Sequence, residues 1–276
     1  MAEVPEKRID SFRKYIALVE RMQSKANNSL WFRGCGNRKQ VLIPSLYRHK
    51  KKKKKADIEE LESRLMTRFR QRSIPFVNRP LNEDWDTLFF MQHYGIPTRL
   101  LDWTENSFIA FYFAVMSARF SVSRAGGTDA PKFKFSRDAT IWILDPVAWT
   151  IHALEQQTYQ GGVLTPSDSA LSRYKPLMKF DEMRIHPVAL YGAYNSPRIV
   201  AQRGVFTIFG QNTIPMEKAY DTDSFPRRCL TRVILPKAAL PNMRRSILNH
   251  GITESVVFPD LEGLAKEMKR EFGFEY

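Results

Sequence analysis

The sequence predicts a single α+β domain in which helices flank a mixed central sheet. Helical periodicity dominates the first 120 residues, strand patterns dominate the later part, and strands and helices do not alternate regularly. No internal repeat interrupts this order. The chain has 276 residues, 43% of them hydrophobic, so it is long enough and apolar enough to bury a core.

Four helices are expected in the first half of the chain, from apolar residues that recur every three or four positions or from a continuous apolar run. The first belongs to an N-terminal helical segment, residues 1–24, that precedes a domain covering residues 25–276. Asn82 is the expected N-cap of the third helix. The fourth is apolar on all sides and should be buried. The four helices are Ile9–Met22, Asp57–Arg72, Asn82–Tyr94 and Ser107–Ala118.

Short runs of β-branched and aromatic residues predict the strands. Between them, residues 119–138 are rich in glycine and polar residues and are expected to form a surface loop. Helices are expected again over Pro236–Asn249 and Asp260–Phe272. The expected strands are Leu30–Arg33, Pro97–Trp103, Ala139–Leu144, Ile199–Phe209, Arg232–Leu235 and Glu254–Phe258.

The chain is basic, but much of the excess charge stands in one run. Lys and Arg number 43 against 29 Asp and Glu, a net charge of +14, and Lys50–Lys55 contributes six of the positive charges. Such a run is typical of a solvated loop, here residues 48–56; the functional alternative is loose attraction to phosphates or anionic lipid, with a nucleic acid or a protein acceptor as the partner of the basic surface. No aromatic residue interleaves the lysines, so base stacking on this run is disfavoured.

Several function classes are disfavoured by what the sequence lacks. Its longest uncharged apolar stretch, residues 106–118, is shorter than the ~20 residues of a membrane-spanning helix, and no secretory signal begins the chain, so a cytoplasmic protein is expected. Cys35 and Cys229 are too few for a disulfide framework or a four-ligand zinc site, and no metal is predicted. The motifs GxxxxGK[ST], HExxH, GxSxG and CxxC are absent.

The residue types that carry chemistry concentrate in four clusters at the ends of expected elements. Arg33 ends a strand and offers a guanidinium to a phosphate or carboxylate; pairing with Asp102 as a structural partner is the alternative. Thr104 is either a helix cap or a ligand. For Gln202 the sequence does not distinguish a ligand-binding role from a structural one. The clusters are Trp31–Gly34, Gln92–Thr104, Gln202–Phe206 and Glu254–Gly263.

The second and fourth clusters contain further candidates. His93 would donate to a ligand or hold its turn, and Tyr94 and Trp103 add stacking surface. Thr98 lies in the same block and is counted with them. Glu254 is expected on the last strand, either solvated at its edge or placed for a purpose.

These clusters together resemble the FRG domain family. The resemblance rests on Phe-Arg-Gly at 32–34, QHYGIPTRLLDWT at 92–104, Gln-x-Gly-x-Phe at 202–206 and FPDLEG at 258–263, and it covers about residues 25–265. It implies no assigned reaction, because the family is defined by sequence.

The order of Arg33, Thr104 and Glu254 is similar to the Arg-Ser-Glu layout of mono-ADP-ribosyltransferases. The resemblance implies an ADP-ribosyltransferase-like fold in which Arg33 holds the NAD phosphates and Thr104 supports the nicotinamide ribose. Glu254 would bond the ribose 2′-hydroxyl and stabilise the oxocarbenium-like state. Two departures stand against it: Asp102–Thr104 replaces Ser-Thr-Ser, and Ile252 stands where an acid or amide is usual.

Two functions follow as hypotheses. The first is an NAD-using ADP-ribosyltransferase-like enzyme or an NAD-cleaving toxin or defence effector, with Arg33, Thr104 and Glu254 as the catalytic residues. The alternative is a non-catalytic module that binds a nucleotide or nucleic acid. A nuclease is disfavoured because the spacing of the acidic residues fits no metal-ligand motif. The residues expected to bind NAD are Arg33, His93, Tyr94, Thr98, Asp102, Trp103 and Gln202.

Overall fold

The strands of the protein form one large sheet and one hairpin. The computed structural model describes residues 3–52, 54–77, 80–123, 132–155, 159–193, 196–223 and 225–274. The strands are β1 (Glu6–Arg8), β2 (Trp31–Cys35), β3 (Leu100–Thr104), β4 (Phe120–Ser123), β5 (Lys132–Phe135), β6 (Ala139–Leu144), β7 (Val188–Leu190), β8 (Gly204–Ile208) and β9 (Leu230–Leu235).

Seven strands form the central sheet in the order β1-β9-β6-β2-β3-β8-β7, and β4 pairs with β5. Strand β1 runs parallel to β9 and the other pairings are antiparallel, so the expected α+β class with a mixed sheet is confirmed. The helices are α1 (Phe12–Gln23), α2 (Lys55–Ser73), α3 (Asp84–His93), α4 (Ser107–Met116), α5 (Pro146–Ala153), α6 (Pro197–Gln202), α7 (Met216–Thr222), α8 (Leu240–Asn249), α9 (Glu254–Val257) and α10 (Leu261–Glu271).

Helices cover both faces of the sheet because alternate residues of its central strands are apolar on both sides. Strand β6 is buried at every position. On one face, Phe32 and Ile141 pack with α1, α4 and α8. On the other, Trp31 and Trp142 pack with the 3-10 turn Leu46–Arg48, α5 and α7. Helix α1, from the segment 1–24, belongs to the same core as α4, so this helix is packed against the rest of the domain.

The sheet is split between β2 and β3. These strands pair at Phe32 and Thr104, whereas β2 pairs with β6, and β3 with β8, along five residues each. Helix α4 crosses β2 so closely that a Cβ on Gly34 would lie 1.8 Å from the carbonyl oxygen of Ala110. Gly34 therefore serves helix packing. The space left by the split holds the site described below.

The strand expected over Glu254–Phe258 is wrong, because these residues form the short helix α9. The amide of Val257 donates to the Thr253 carbonyl at 3.1 Å, and that of Phe258 to the Glu254 carbonyl at 2.8 Å. The alternation of Glu254, Val256 and Phe258 imitates a strand over only five residues, and local helical bonds decide the conformation.

The strand expected over Ile199–Phe209 is wrong in its first half. Residues Pro197–Gln202 form α6 and only Gly204–Ile208 form β8. The Ser196 side chain caps this helix by accepting the Ile199 amide, and Arg203 ends it with a φ of +45°. A serine cap followed by proline is a helix start, which outweighs the β-branched residues after it.

Three smaller expectations also need correction. The loop expected over 119–138 begins and ends in the strands β4 and β5; residues 124–131 lie outside the described residues. Helix α2 begins at Lys55, so the basic loop 48–56 is shorter than expected, and Lys52 pairs with Glu60 at 3.0 Å. The residue at the N-cap of α3 is Glu83, not Asn82. Among the described residues, no helix combines the length and apolarity needed to cross a membrane.

Candidate functional site

A cavity of about 680 Å³ opens where β2 and β3 separate. Its walls come from these two strands and β8, from the 3-10 turn Leu46–Arg48, from the end of α3, from α4 and α6, and from the start of α10 with the turn before it. Polar and apolar groups are mixed in the lining. The side chains used below are Arg33, Arg48, Gln92, His93, Tyr94, Asp102, Trp103, Thr104, Arg198, Gln202, Asp260 and Glu262.

Two arginines give one end of the cavity a positive charge. Nη1 of Arg33 donates to the carbonyl oxygen of Asp102 at 2.5 Å, and its Nε is buried with no hydrogen-bond partner in the described chain. Burial and the neighbouring Arg33 lower the pKa of Arg48. Arg48 makes no ion pair with any residue that the structure describes. Both guanidinium groups therefore retain donors for an anion.

A hydrogen-bond chain fixes Asp102 at the same end. The amide of Leu100 donates to Thr98 Oγ1 at 3.0 Å, and the Thr98 hydroxyl donates to Gln92 Oε1. Gln92 Nε2 then donates to Asp102 Oδ1 at 2.7 Å. Asp102 Oδ2 lies 3.7 Å from Arg33 Nη1, and 55% of the Asp102 side chain is exposed. Thr98 is itself buried and acts behind the cavity wall.

His93 and Tyr94 stand at another part of the rim, where α3 ends at Gly95 with a φ of +72°. Burial lowers the pKa of His93, Arg198 lowers it further, and Asp260 opposes the shift. Its Nδ1 lies 3.2 Å from the Ser196 hydroxyl, where a neutral ring accepts the proton. The Tyr94 ring meets His93 edge-on and is 63% exposed, so it offers a stacking face to a ligand.

Three other candidates use their polar atoms within the protein. The Thr104 hydroxyl donates to the Gln202 carbonyl at 2.6 Å and accepts the Asn106 amide at 2.9 Å, while Asn106 caps α4. Trp103 Nε1 donates to Thr207 Oγ1 at 3.1 Å. Gln202 Nε2 donates to the Val257 carbonyl at 3.0 Å. Thr104 and Trp103 thus shape the wall, and Gln202 joins α6 to α9.

Glu254 is not among the residues that line the cavity. It is 4% exposed, and Arg270 Nε donates to both of its carboxylate oxygens at 3.1 and 3.0 Å. Arg270 lies on α10, so the pair holds α9 against that helix. The structure therefore brings Arg33, His93, Tyr94, Asp102, Trp103, Thr104 and Gln202 to one cavity and leaves Glu254 outside it.

Sequence reasoning missed Arg48, Arg198 and the neighbourhood of Asp260. Arg48 lies next to the lysine run and belongs to no motif, and Arg198 immediately precedes the segment that was expected to be a strand. The FPDLEG motif did contain a signal for Asp260, which caps α10 by accepting the Gly263 amide at 2.7 Å. Within the described residues, no group of three or more His, Cys, Asp or Glu side chains is placed to hold a metal.

Comparison with known proteins identifies the domain around this cavity. Residues 28–121 match the model of the FRG domain. The chain contains an FRG domain. The matched segment supplies Arg33, Arg48 and Asp102, whereas Arg198 and Asp260 come from beyond it. The FRG segment thus carries the positive end of the cavity, and the rest of the chain completes the rim. Neither a curated protein nor a solved structure matches the chain.

Proposed function

We propose that the cleft is a nucleotide-binding site and that NAD is one of its ligands. The observation that carries this proposal is the pair Arg33 and Arg48, two neighbouring guanidinium groups in the lining of the same cavity. Guanidinium groups bind phosphates through paired, charge-assisted hydrogen bonds.

The rest of the cavity suits the other parts of a nucleotide. Its volume of about 680 Å³ falls within the roughly 300–1,000 Å³ typical of small-molecule sites. The exposed ring of Tyr94 is available to stack on a base. None of the described lysines of the run Lys50–Lys55 lines the cavity, so the proposal does not depend on them.

We favour binding without cleavage, the non-catalytic alternative, over ADP-ribosyl transfer. The transferase resemblance assigns stabilisation of the oxocarbenium-like state to Glu254. Glu254 is held by Arg270 and is not among the residues that line the cavity, so it is not placed for that role.

Calorimetric titration with NAD and ATP tests the proposal. The wild-type protein should bind, and Arg33→Gln and Arg48→Gln should each weaken binding on the order of 10- to 100-fold, the loss of one or two charge-assisted hydrogen bonds. Arg13→Gln, which removes an exposed charge on α1, is the matched control and should bind as wild type does. Absence of NAD and ATP binding by wild-type protein would exclude the proposal.

The same samples test the preference for binding over cleavage. Nicotinamide release from NAD should not exceed the rate without protein. Multiple turnovers by wild-type protein that are lost in Arg33→Gln would restore the transferase hypothesis.

A further inference from the structure

Resting on the proposed function, we propose that Asp102 makes the cleft selective for ribonucleoside phosphates by accepting hydrogen bonds from the 2′- and 3′-hydroxyls of the ribose. The cleft would then require two features in its ligand, a phosphate for the arginines and a pair of hydroxyls for Asp102.

The hydrogen-bond chain behind Asp102 gives the carboxylate one orientation. Thr98 Oγ1 accepts the Leu100 amide, so its own proton is free to donate to Gln92 Oε1. That bond determines which end of the Gln92 amide faces Asp102, and Nε2 donates to Oδ1 at 2.7 Å. One carboxylate oxygen is therefore fixed by a buried threonine and a glutamine, and the position of the other follows.

The second oxygen, Oδ2, is the one left for a ligand. No group that the structure describes donates a hydrogen bond to it. Arg33 Nη1 is 3.7 Å away, too far for a hydrogen bond, and donates instead to the backbone carbonyl of Asp102. The side chain is more than half exposed and lines the cavity.

A role only as counterion to Arg33 does not account for this arrangement. The closest contact of Arg33 is to the backbone of residue 102, which any side chain there would supply. A carboxylate beside two phosphate-binding arginines also repels a ligand that offers only anionic oxygens. It favours a ligand that presents donors at that point, and adjacent hydroxyls on a sugar match a carboxylate in geometry.

Titrations with ATP and 2′,3′-dideoxy-ATP test the inference, because the two differ only in the hydroxyls. Wild-type protein should bind ATP more tightly than dideoxy-ATP, by a factor on the order of 10 to 100. Asp102→Asn keeps an acceptor for Gln92 but removes the charge, and it should bring the ratio of the two affinities below about threefold. Glu20→Gln removes an exposed acid on α1, outside the cavity lining, and should leave the ratio unchanged.

Gln92→Met tests the positioning part of the argument. It leaves Asp102 in place but removes the donor to Oδ1, so the affinity ratio should fall part of the way while dideoxy-ATP binding stays constant. A thermal unfolding curve for each variant separates this effect from loss of structure.

The outcomes separate the two proposals. Equal affinities of wild-type protein for ATP and dideoxy-ATP would overturn the role of Asp102 and leave the nucleotide site standing. Binding of NAD without binding of ATP would do the same. Failure of wild-type protein to bind NAD, ATP and dideoxy-ATP would remove both proposals together.

Discussion

Two arginine–carboxylate pairs, Arg99–Glu62 and Arg33–Asp102, differ in how fully their hydrogen-bonding groups are satisfied. Arg99 and Glu62 are buried, with side chains 0% and 4% exposed, and Arg99 Nε donates to Glu62 at 2.8 Å. The other Arg99 nitrogens donate to the carbonyl oxygens of Phe209, Tyr174 and Lys175.

The Arg33 and Asp102 side chains are 16% and 55% exposed, and their closest side-chain atoms lie 3.7 Å apart. Arg33 Nε and Asp102 Oδ2 have no hydrogen-bond partner in the described chain.

This difference shows how a structural arginine is distinguished from one that is available to a ligand: the N–H donors of the structural arginine are already hydrogen-bonded within the protein. Burial disfavours the charged form of Arg99, but Glu62 more than offsets this, so the pKa of Arg99 is raised. Its donors are used in joining α2, β3 and the segment near Tyr174. Arg33 lies within β2 and is partly exposed, with a donor that no described residue uses, whereas Arg99 is fully buried immediately before β3.

The largest expected effect separates the two pairs by stability. Arg99→Met leaves Glu62 buried without its partner and removes donors from three carbonyl groups, so it should cost about 3–5 kcal/mol in the free energy of unfolding. Arg33→Met should cost less, because the Asp102 carboxylate that it leaves behind is more than half exposed and stays solvated. Urea denaturation measures both. Similar losses in the two variants would contradict the distinction.

A smaller effect is expected at Glu254, whose pair with Arg270 resembles the buried type. Glu254→Gln removes the charge that Arg270 holds and should lower the free energy of unfolding by about 1–3 kcal/mol. Affinity for NAD should change less than twofold, because Glu254 is outside the cavity. Urea denaturation gives the free energy of unfolding, and calorimetric titration of the same preparation gives the affinity for NAD. A large loss of NAD affinity with unchanged stability would place Glu254 back in the site.

The smallest effect concerns pH and the open side of the cleft. The pKa of His93 is lowered in the folded protein, chiefly by burial, below its ordinary value of 6.5. As pH falls through that range, the unfolded chain takes up the proton first, so stability should decline from pH 7 to pH 5. His93→Gln should reduce this decline by less than about 1 kcal/mol. Denaturation curves at pH 5, 6 and 7 measure it; identical slopes in both proteins would contradict the assignment.

The sequence predicted the elements whose signals are local and strong. The apolar run of α4 and the strand β6 were placed correctly because their residues are buried on every side. Glu254–Phe258 was misassigned because five alternating residues carry too little periodicity, and α6 because its β-branched residues imitate a strand. Glu254 is paired with Arg270, which lies 16 residues further along the chain, and no local sequence pattern predicts that contact.

The site was partly predictable for the same reason. Arg33 and Asp102 stood out because they are charged residues in short apolar segments, Arg33 beside a glycine and Asp102 beside a tryptophan. Arg48 gave no such signal, since its role depends on a turn that the sequence does not mark. The saturation of Thr104 and of Arg99 became visible only with the three-dimensional contacts.

The split between β2 and β3 also places the cleft between two halves of the sheet that share few strand pairings. Strands β1, β9, β6 and β2 form one half-sheet and β3, β8 and β7 the other, and in the described part of the chain the ladder joins the halves at Phe32 and Thr104 alone. Arg33 stands on one half and Asp102 on the other. A ligand that contacts both residues would connect the two half-sheets. The ligand-bound protein would therefore be more rigid than the free protein at the position where the sheet has the fewest strand pairings.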